Sequence, residues 1–148
     1  MTQEDKQLLM KDLCARLPYG VKYDIVLDDG EYGSGGVLYD DLKNGYFDIE
    51  DLHIVRPYLR PMSSMTKDER EEIEVFICNE WFVEDTGFAT KVDSEGYIEF
   101  LTNYDASGIE PKFCSDYIDF LNSHHFDYRG LIEKGLALEA PEGMYKNE

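Results

Sequence analysis

Two histidines, an aspartate, a tyrosine and an arginine crowd into the run "SHHFDYRG", Ser123 to Gly130. The whole chain has 3 His, so His124 and His125 are the first place to look for chemistry. An imidazole changes charge near neutral pH, and a neighbouring aspartate can orient the ring as a general base. His125 with Asp127 is therefore the candidate catalytic pair of a small acid–base hydrolase, and Arg129 a candidate binding residue. No nucleophile motif such as G-x-S-x-G accompanies them. Metal binding fits worse: consecutive residues on a helix point about 100° apart, so the two rings do not converge on one ion. No metal site is expected.

A structural reading accounts for the same residues. On a helix running to His125, Phe113, Tyr117, Ile118, Phe120 and Leu121 cover one arc, and Asp116, Asp119, Asn122 and Ser123 the opposite one. His124 then falls on the apolar arc and His125 at its edge, both in a last turn whose negative end favours an imidazolium. Asp127 caps a short helix, Tyr128 to Lys134, that Gly135 stops. This account employs every polar member of the run and is preferred to catalysis.

Three further stretches invite a functional reading. "RPYLRP", Arg56 to Pro61, is locally basic, and as an exposed polyproline-like strip it would make Arg56, Tyr58 and Arg60 binding residues. The preferred alternative is a connection with Tyr58 and Leu59 buried and the arginines paired with carboxylates. "DGEYGSGG" lacks the G-K-[ST] ending of a phosphate-binding loop and lies between strands, so it reads as a flexible loop. "NYDASGIEPKFC" places Asn103, Asp105, Ser107 and Gly108 like the start of an EF-hand loop. Cys114 stands where a bidentate Glu is needed, however, and Pro111 where the next helix should begin. No cofactor is expected. Cys14, Cys78 and Cys114 form no C-x-x-C pair, which fits neither a disulfide scaffold nor a zinc knuckle and suits the reducing cytosol.

The elements that must position these residues read as α+β. "TQEDKQLLMKDLCARL" is a helix capped by Thr2, with Leu9, Met10, Leu13, Cys14 and Leu17 on one stripe, ended by Pro18 and Gly20. "VKYDIVL" alternates as a strand does. Asn44-Gly45 signals a hairpin, "LHIV" a further strand, and Pro57 and Pro61 an end to sheet pairing. Together they suggest a small, bent antiparallel sheet of the SH3-like kind. Thr66 and Glu69 form a capping box for a second helix carrying Ile73, Phe76 and Ile77. "GFATKV" and "YIEFLT" form a second hairpin, a third helix spans Asp116 to His125, and "LALEA" is a last strand before a tail from Pro141. The expected division is residues 1–62, helix plus β-rich subdomain, and 63–148, an α+β subdomain.

Composition narrows the partners. With 14 Lys+Arg against 32 Asp+Glu the net charge is −18, which repels nucleic acid and anionic membrane surfaces. Direct nucleic-acid binding is not expected, nor a membrane span, since no apolar run is long enough. Hydrophobic residues at 43% suffice for a core. The 11 Tyr, 8 Phe and 1 Trp suit protein recognition. Carboxylates are dense from Asp24 to Asp51 and again from Asp68 to Asp85, so a DNA-mimicking inhibitor of a nucleic-acid enzyme is an alternative.

"VRPYLRPMSSMTKDE" (Val55 to Glu69) and "HHFDYRGLIEKGLALEAPEGMY" (His124 to Tyr145) resemble segments of a functionally uncharacterised family of small acidic proteins encoded by gut Bacteroidales and their phages or prophages. The resemblance implies a phage-related, bacterial cytoplasmic setting and brings no catalytic or ligand residue with it. The expectation is a non-enzymatic, cytosolic accessory protein whose partner is another protein, one with a basic surface being the complementary kind.

Overall fold

The computed structural model describes residues 1–46, 48–73, 90–92, 98–100 and 111–145. The fold is α+β: the described residues form helices, a 4-stranded mixed sheet and a separate 2-stranded one. The chain divides into two units, Met1–Arg60 with Asn122–Glu148, and Pro61–Leu121. The C-terminal segment, expected within 63–148, thus belongs with the N-terminal unit.

Helix α1 (Gln3–Arg16) starts where the Thr2 hydroxyl accepts the Asp5 N–H at 3.0 Å, and gives way to a 3-10 turn, Leu17–Tyr19, that stops at left-handed Gly20. Leu9 and Leu13 are buried as the stripe requires, but Met10 is half-buried and Cys14 exposed. The inward face continues instead through Asp12 and Arg16, both wholly buried.

Strands β1 (Lys22–Val26), β2 (Tyr32–Val37), β3 (Val55–Leu59) and β6 (Leu138–Glu139) lie in the order β2-β1-β3-β6. The pairs β1·β2 and β1·β3 are antiparallel, whereas β3·β6 is parallel, so the sheet is mixed and not the SH3-like antiparallel one expected. Pro57 does not end pairing; it sits inside β3. Pro57 is the last β3 residue in register with β1, opposite Tyr23, and Tyr58 and Leu59 pair with β6. The missing proline N–H falls where β3 changes partner.

Two glycine signals have other causes than expected. The loop "DGEYGSGG" is a tight turn over Asp28–Gly30 followed by β2 itself. Gly35 is there because Tyr23 packs against its backbone: a Cβ would meet the Tyr23 ring at 2.7 Å. Asn44-Gly45 closes no hairpin. It ends helix α2 (Leu38–Lys43), with Asn44 as C-cap and Gly45 at φ 76°, the left-handed position that stops a helix. "LHIV" likewise falls largely in a 3-10 helix, Ile49–Ile54, entered through an Asp48–Asp51 capping box; only Val55 is strand. Leu9, Leu13, Val21, Tyr23, Leu38, Leu52, Val55, Leu59, Leu131, Leu136 and Ala137 form the core of this unit.

In the second unit the capping box holds: Thr66 N–H donates to Glu69 Oε1 at 2.9 Å and Glu69 N–H to Thr66 Oγ1 at 3.2 Å. It opens helix α3, described over residues 67–73, with Ile73 buried; Phe76 and Ile77 lie outside the described residues. Strands β4 (Thr90–Val92) and β5 (Ile98–Phe100) pair antiparallel as expected. The EF-hand-like residues 103–108 lie outside the described residues. Helix α4 (Pro111–Ser123) starts earlier and ends earlier than the expected span, Asp116 to His125. Proline is favoured in a first helical turn, which needs no N–H there.

Candidate functional site

Candidate residues from "RPYLRP" and "SHHFDYRG" meet in the first unit, where the C-terminal segment is woven onto β3 and α1. Arg60 N–H donates to His125 O at 2.7 Å and Asp127 N–H to Arg60 O at 2.8 Å, a parallel bridge centred on Phe126. Ala140 N–H donates to Leu59 O at 2.7 Å. Residues 141–145, at the start of the stretch read as a tail, are a strap. Tyr145 Oη accepts the Lys22 N–H at 3.0 Å and donates to Tyr58 O at 2.7 Å, and Lys22 Nζ donates to Met144 O at 3.0 Å.

His125 lies beneath that strap. Helix α4 ends at Ser123, so neither histidine follows the helical wheel. His125 takes φ 64°, the left-handed conformation usually left to glycine at a helix end. Its ring is 2% exposed and stacks on Tyr145 with centroids 3.6 Å apart. Burial, then the positive charges of Arg16, His124, Arg60 and Lys22, lower its pKa from 6.5 to about 3. The expected imidazolium is thus a neutral ring, far too weak a base for proton abstraction near neutrality. Asp127 is likewise occupied: Oδ1 accepts the Leu131 N–H at 2.8 Å and Oδ2 the Ile132 N–H at 2.9 Å. These bonds organise a turn over residues 131–135, not the helix expected from Tyr128 to Lys134. His125 and Asp127 are brought close in sequence and apart in task.

The arginines are consumed in the same way. Arg56 donates to His53 O at 2.8 Å and Val55 O at 3.0 Å, and Arg60 lies 4.2 Å over the Phe126 ring. Both thus donate to main-chain carbonyls, and Arg60 also covers a ring face. Tyr58 Oη donates to Asp24 Oδ2 at 2.7 Å, and that bond, ahead of burial, raises its pKa. "RPYLRP" is an interior strand and no exposed polyproline strip.

Sequence reasoning missed the most closely bonded charges. Arg16 Nε lies 2.7 Å from Asp12 Oδ2 and its Nη2 3.1 Å from Asp12 Oδ1, while Nη2 also donates to Phe126 O at 2.6 Å. Arg129 Nε lies 3.3 Å from Asp12 Oδ1, and Tyr128, which Arg16 and Arg129 both approach, donates to Asn122 Oδ1 at 3.0 Å. The available signal was spacing: Leu9, Asp12, Leu13 and Arg16 recur at helical intervals on one face. This network clamps α1 to the C-terminal segment.

Two surfaces of the unit are left open. One is the stretch from the end of β1 through α2, where Leu27, Tyr32, Tyr39 and Tyr46 are exposed, Tyr46 by 73%. Exposed Asp28, Asp29, Glu31 and Asp40 are interleaved with them. The other is a groove between α1 and the Ile49–Ile54 helix. Among the described residues, no group of three His, Cys, Asp or Glu is placed to hold a metal, and no helix is long and apolar enough to cross a membrane. In comparisons with known proteins, no family model, curated protein or solved structure matches this chain.

Proposed function

We infer that the protein is a non-enzymatic accessory protein of a bacterial, phage-related cytosol, which binds a partner protein through the acidic, tyrosine-bearing face of β2 and α2. The observation that carries this reading is the exposure of Tyr32, Tyr39 and Tyr46 among carboxylates, while His125 is buried against Tyr145 and Asp127 accepts main-chain N–H groups. Tyrosine gives large contact area at small entropic cost and is favoured at interface centres. Surrounding carboxylates select a basic partner and speed its approach.

Affinity capture from the cytosol of the bacterial host, with the wild type beside a Tyr32→Ser, Tyr39→Ser, Tyr46→Ser variant, tests this. A partner bound by the wild type should be lost from the variant, and its affinity should weaken as salt is raised. Losing one interface anchor costs about 2 kcal/mol, roughly 30-fold in Kd. Equal capture by both proteins, or turnover of a substrate by the wild type, counts against the reading in its two parts.

A further inference from the structure

A groove of about 690 Å³ runs between α1 and the Ile49–Ile54 helix. Gln3, Gln7, Met10 and Cys14 form its α1 stripe, three or four residues apart, and Lys6 and Lys11 flank that stripe on opposite sides. Leu52, 1% exposed, comes from the facing helix. The walls are mainly apolar, and lysine stems add to that surface while their ammonium groups stay in water.

Charge is what singles this groove out. The chain carries −18, yet this groove has two lysines against one carboxylate, Glu50. An anion repelled by most of the surface meets two cations here. Size excludes a docked helix as the natural occupant: a helix with side chains is about 10–12 Å across, whereas this volume falls within the 300–1,000 Å³ typical of small-molecule sites. From Gln3 to Cys14 the stripe is roughly 16 Å long at about 1.5 Å per residue, room for an extended chain of moderate length.

We propose that the groove between α1 and the Ile49–Ile54 helix binds a small amphiphilic anion, a carboxylate bearing an unbranched apolar tail, with the tail along Met10, Cys14 and Leu52 and the head between Lys6 and Lys11. This site is separate from the acidic tyrosine face and does not depend on the function inferred for it.

Cys14 is an exposed thiol in the groove and reports its occupancy. The test is the rate of Cys14 alkylation by iodoacetamide on the intact protein, read by peptide mass spectrometry, with decanoate below its micelle concentration as the probe. Decanoate should slow alkylation at least tenfold at saturation. Acetate, which has no tail, and decyltrimethylammonium, whose head is cationic, should leave the rate unchanged. Lys6→Glu with Lys11→Glu changes exposed residues only; it should keep the wild-type thermal transition and weaken decanoate by about tenfold or more, about 1.4 kcal/mol. No protection by decanoate, equal protection by the cationic analogue or by acetate, or an unchanged affinity in a folded charge-reversed variant would each overturn the proposal.

Discussion

Removing Arg16 should cost far more than removing a surface arginine, because it leaves Asp12 buried. Arg16→Met deletes two hydrogen bonds to Asp12, at 2.7 and 3.1 Å, and the one to Phe126 O at 2.6 Å. Both side chains are 0% exposed, so water cannot replace what is lost. Taking one partner from a buried pair costs about 3–5 kcal/mol. Asp12 keeps Arg129 at 3.3 Å, which puts Arg16→Met near the lower end, about 3 kcal/mol. Asp12→Leu leaves two guanidinium groups facing each other with no carboxylate between them and should approach the upper end, about 5 kcal/mol. Replacing both by apolar residues removes the stranded charge, so the double variant should fall short of the summed costs by at least about 2 kcal/mol. Urea melts followed by far-UV circular dichroism measure all four proteins. A cost for Arg16→Met below about 0.5 kcal/mol, the range of exposed helix pairs, or strict additivity in the cycle, would refute the buried clamp.

Three other perturbations probe the same unit. Gly35→Ala forces a Cβ to within 2.7 Å of the Tyr23 ring and should destabilise by roughly 1–3 kcal/mol, as overpacking does; a melting temperature unchanged from wild type would contradict the close approach. His125 has a folded pKa of about 3 against 6.5, so between those values the unfolded chain binds the extra proton. Its contribution is full above pH 6.5 and is lost as pH falls, by about 2 kcal/mol at pH 5. His125→Asn, which also tolerates positive φ, should flatten that part of the stability–pH profile, and an identical profile would show that the ring is not held neutral. Tyr145→Phe removes the hydroxyl that bonds Lys22 N–H and Tyr58 O and should cost about 1–2 kcal/mol. Hydrogen exchange at the Lys22 amide should quicken, and unchanged protection there would mean that the strap does not depend on this hydroxyl.

Local signals were legible in this sequence and non-local ones were not. Thr2 and the Thr66–Glu69 box act within a few residues and appear where their chemistry puts them; "VKYDIVL" holds a strand, but its alternation stops after Tyr23, and Leu27 is exposed. Asn44-Gly45 was misread because a left-handed glycine serves a helix stop as well as a hairpin turn; what decides is the helix before it. Asp12 and Arg16 carry the spacing of an exposed i,i+4 pair, and only the arrival of Phe126 and Arg129 from the far end of the chain makes burying them tolerable. The parallel pairing of β3 with β6 joins residues about 80 positions apart, beyond any periodicity argument. Of the site residues, Asp127 was legible as a group that binds main-chain N–H, though its partners lie four and five residues on. The burial of His125 was not, since it depends on Tyr145 folding back.

The internal use of cations bears on the surface the protein presents. The chain has 14 Lys+Arg. Arg16 is buried on Asp12, Arg129 leans on the same carboxylate, Arg56 and Arg60 are directed at main-chain carbonyls, and Lys22 reaches Met144 O beneath the strap. Asp12 takes both Arg16 and Arg129, while main-chain carbonyls accept from Arg56, Arg60 and Lys22. Asp24 and Asp41 accept the hydroxyls of Tyr58 and Tyr23. Folding therefore draws these cations inward, while Asp28, Asp29, Glu31 and Asp40 stay exposed together. That concentration strengthens long-range attraction for a basic partner. It also makes Lys6 and Lys11, exposed together on one groove of α1, a sharper local contrast than two lysines would be on a neutral protein. Of these cations, Lys22 is the one bonded to the strap that closes over His125. Loosening the strap with Tyr145→Phe should leave the charge of both open surfaces in place unless the cations beneath it are released.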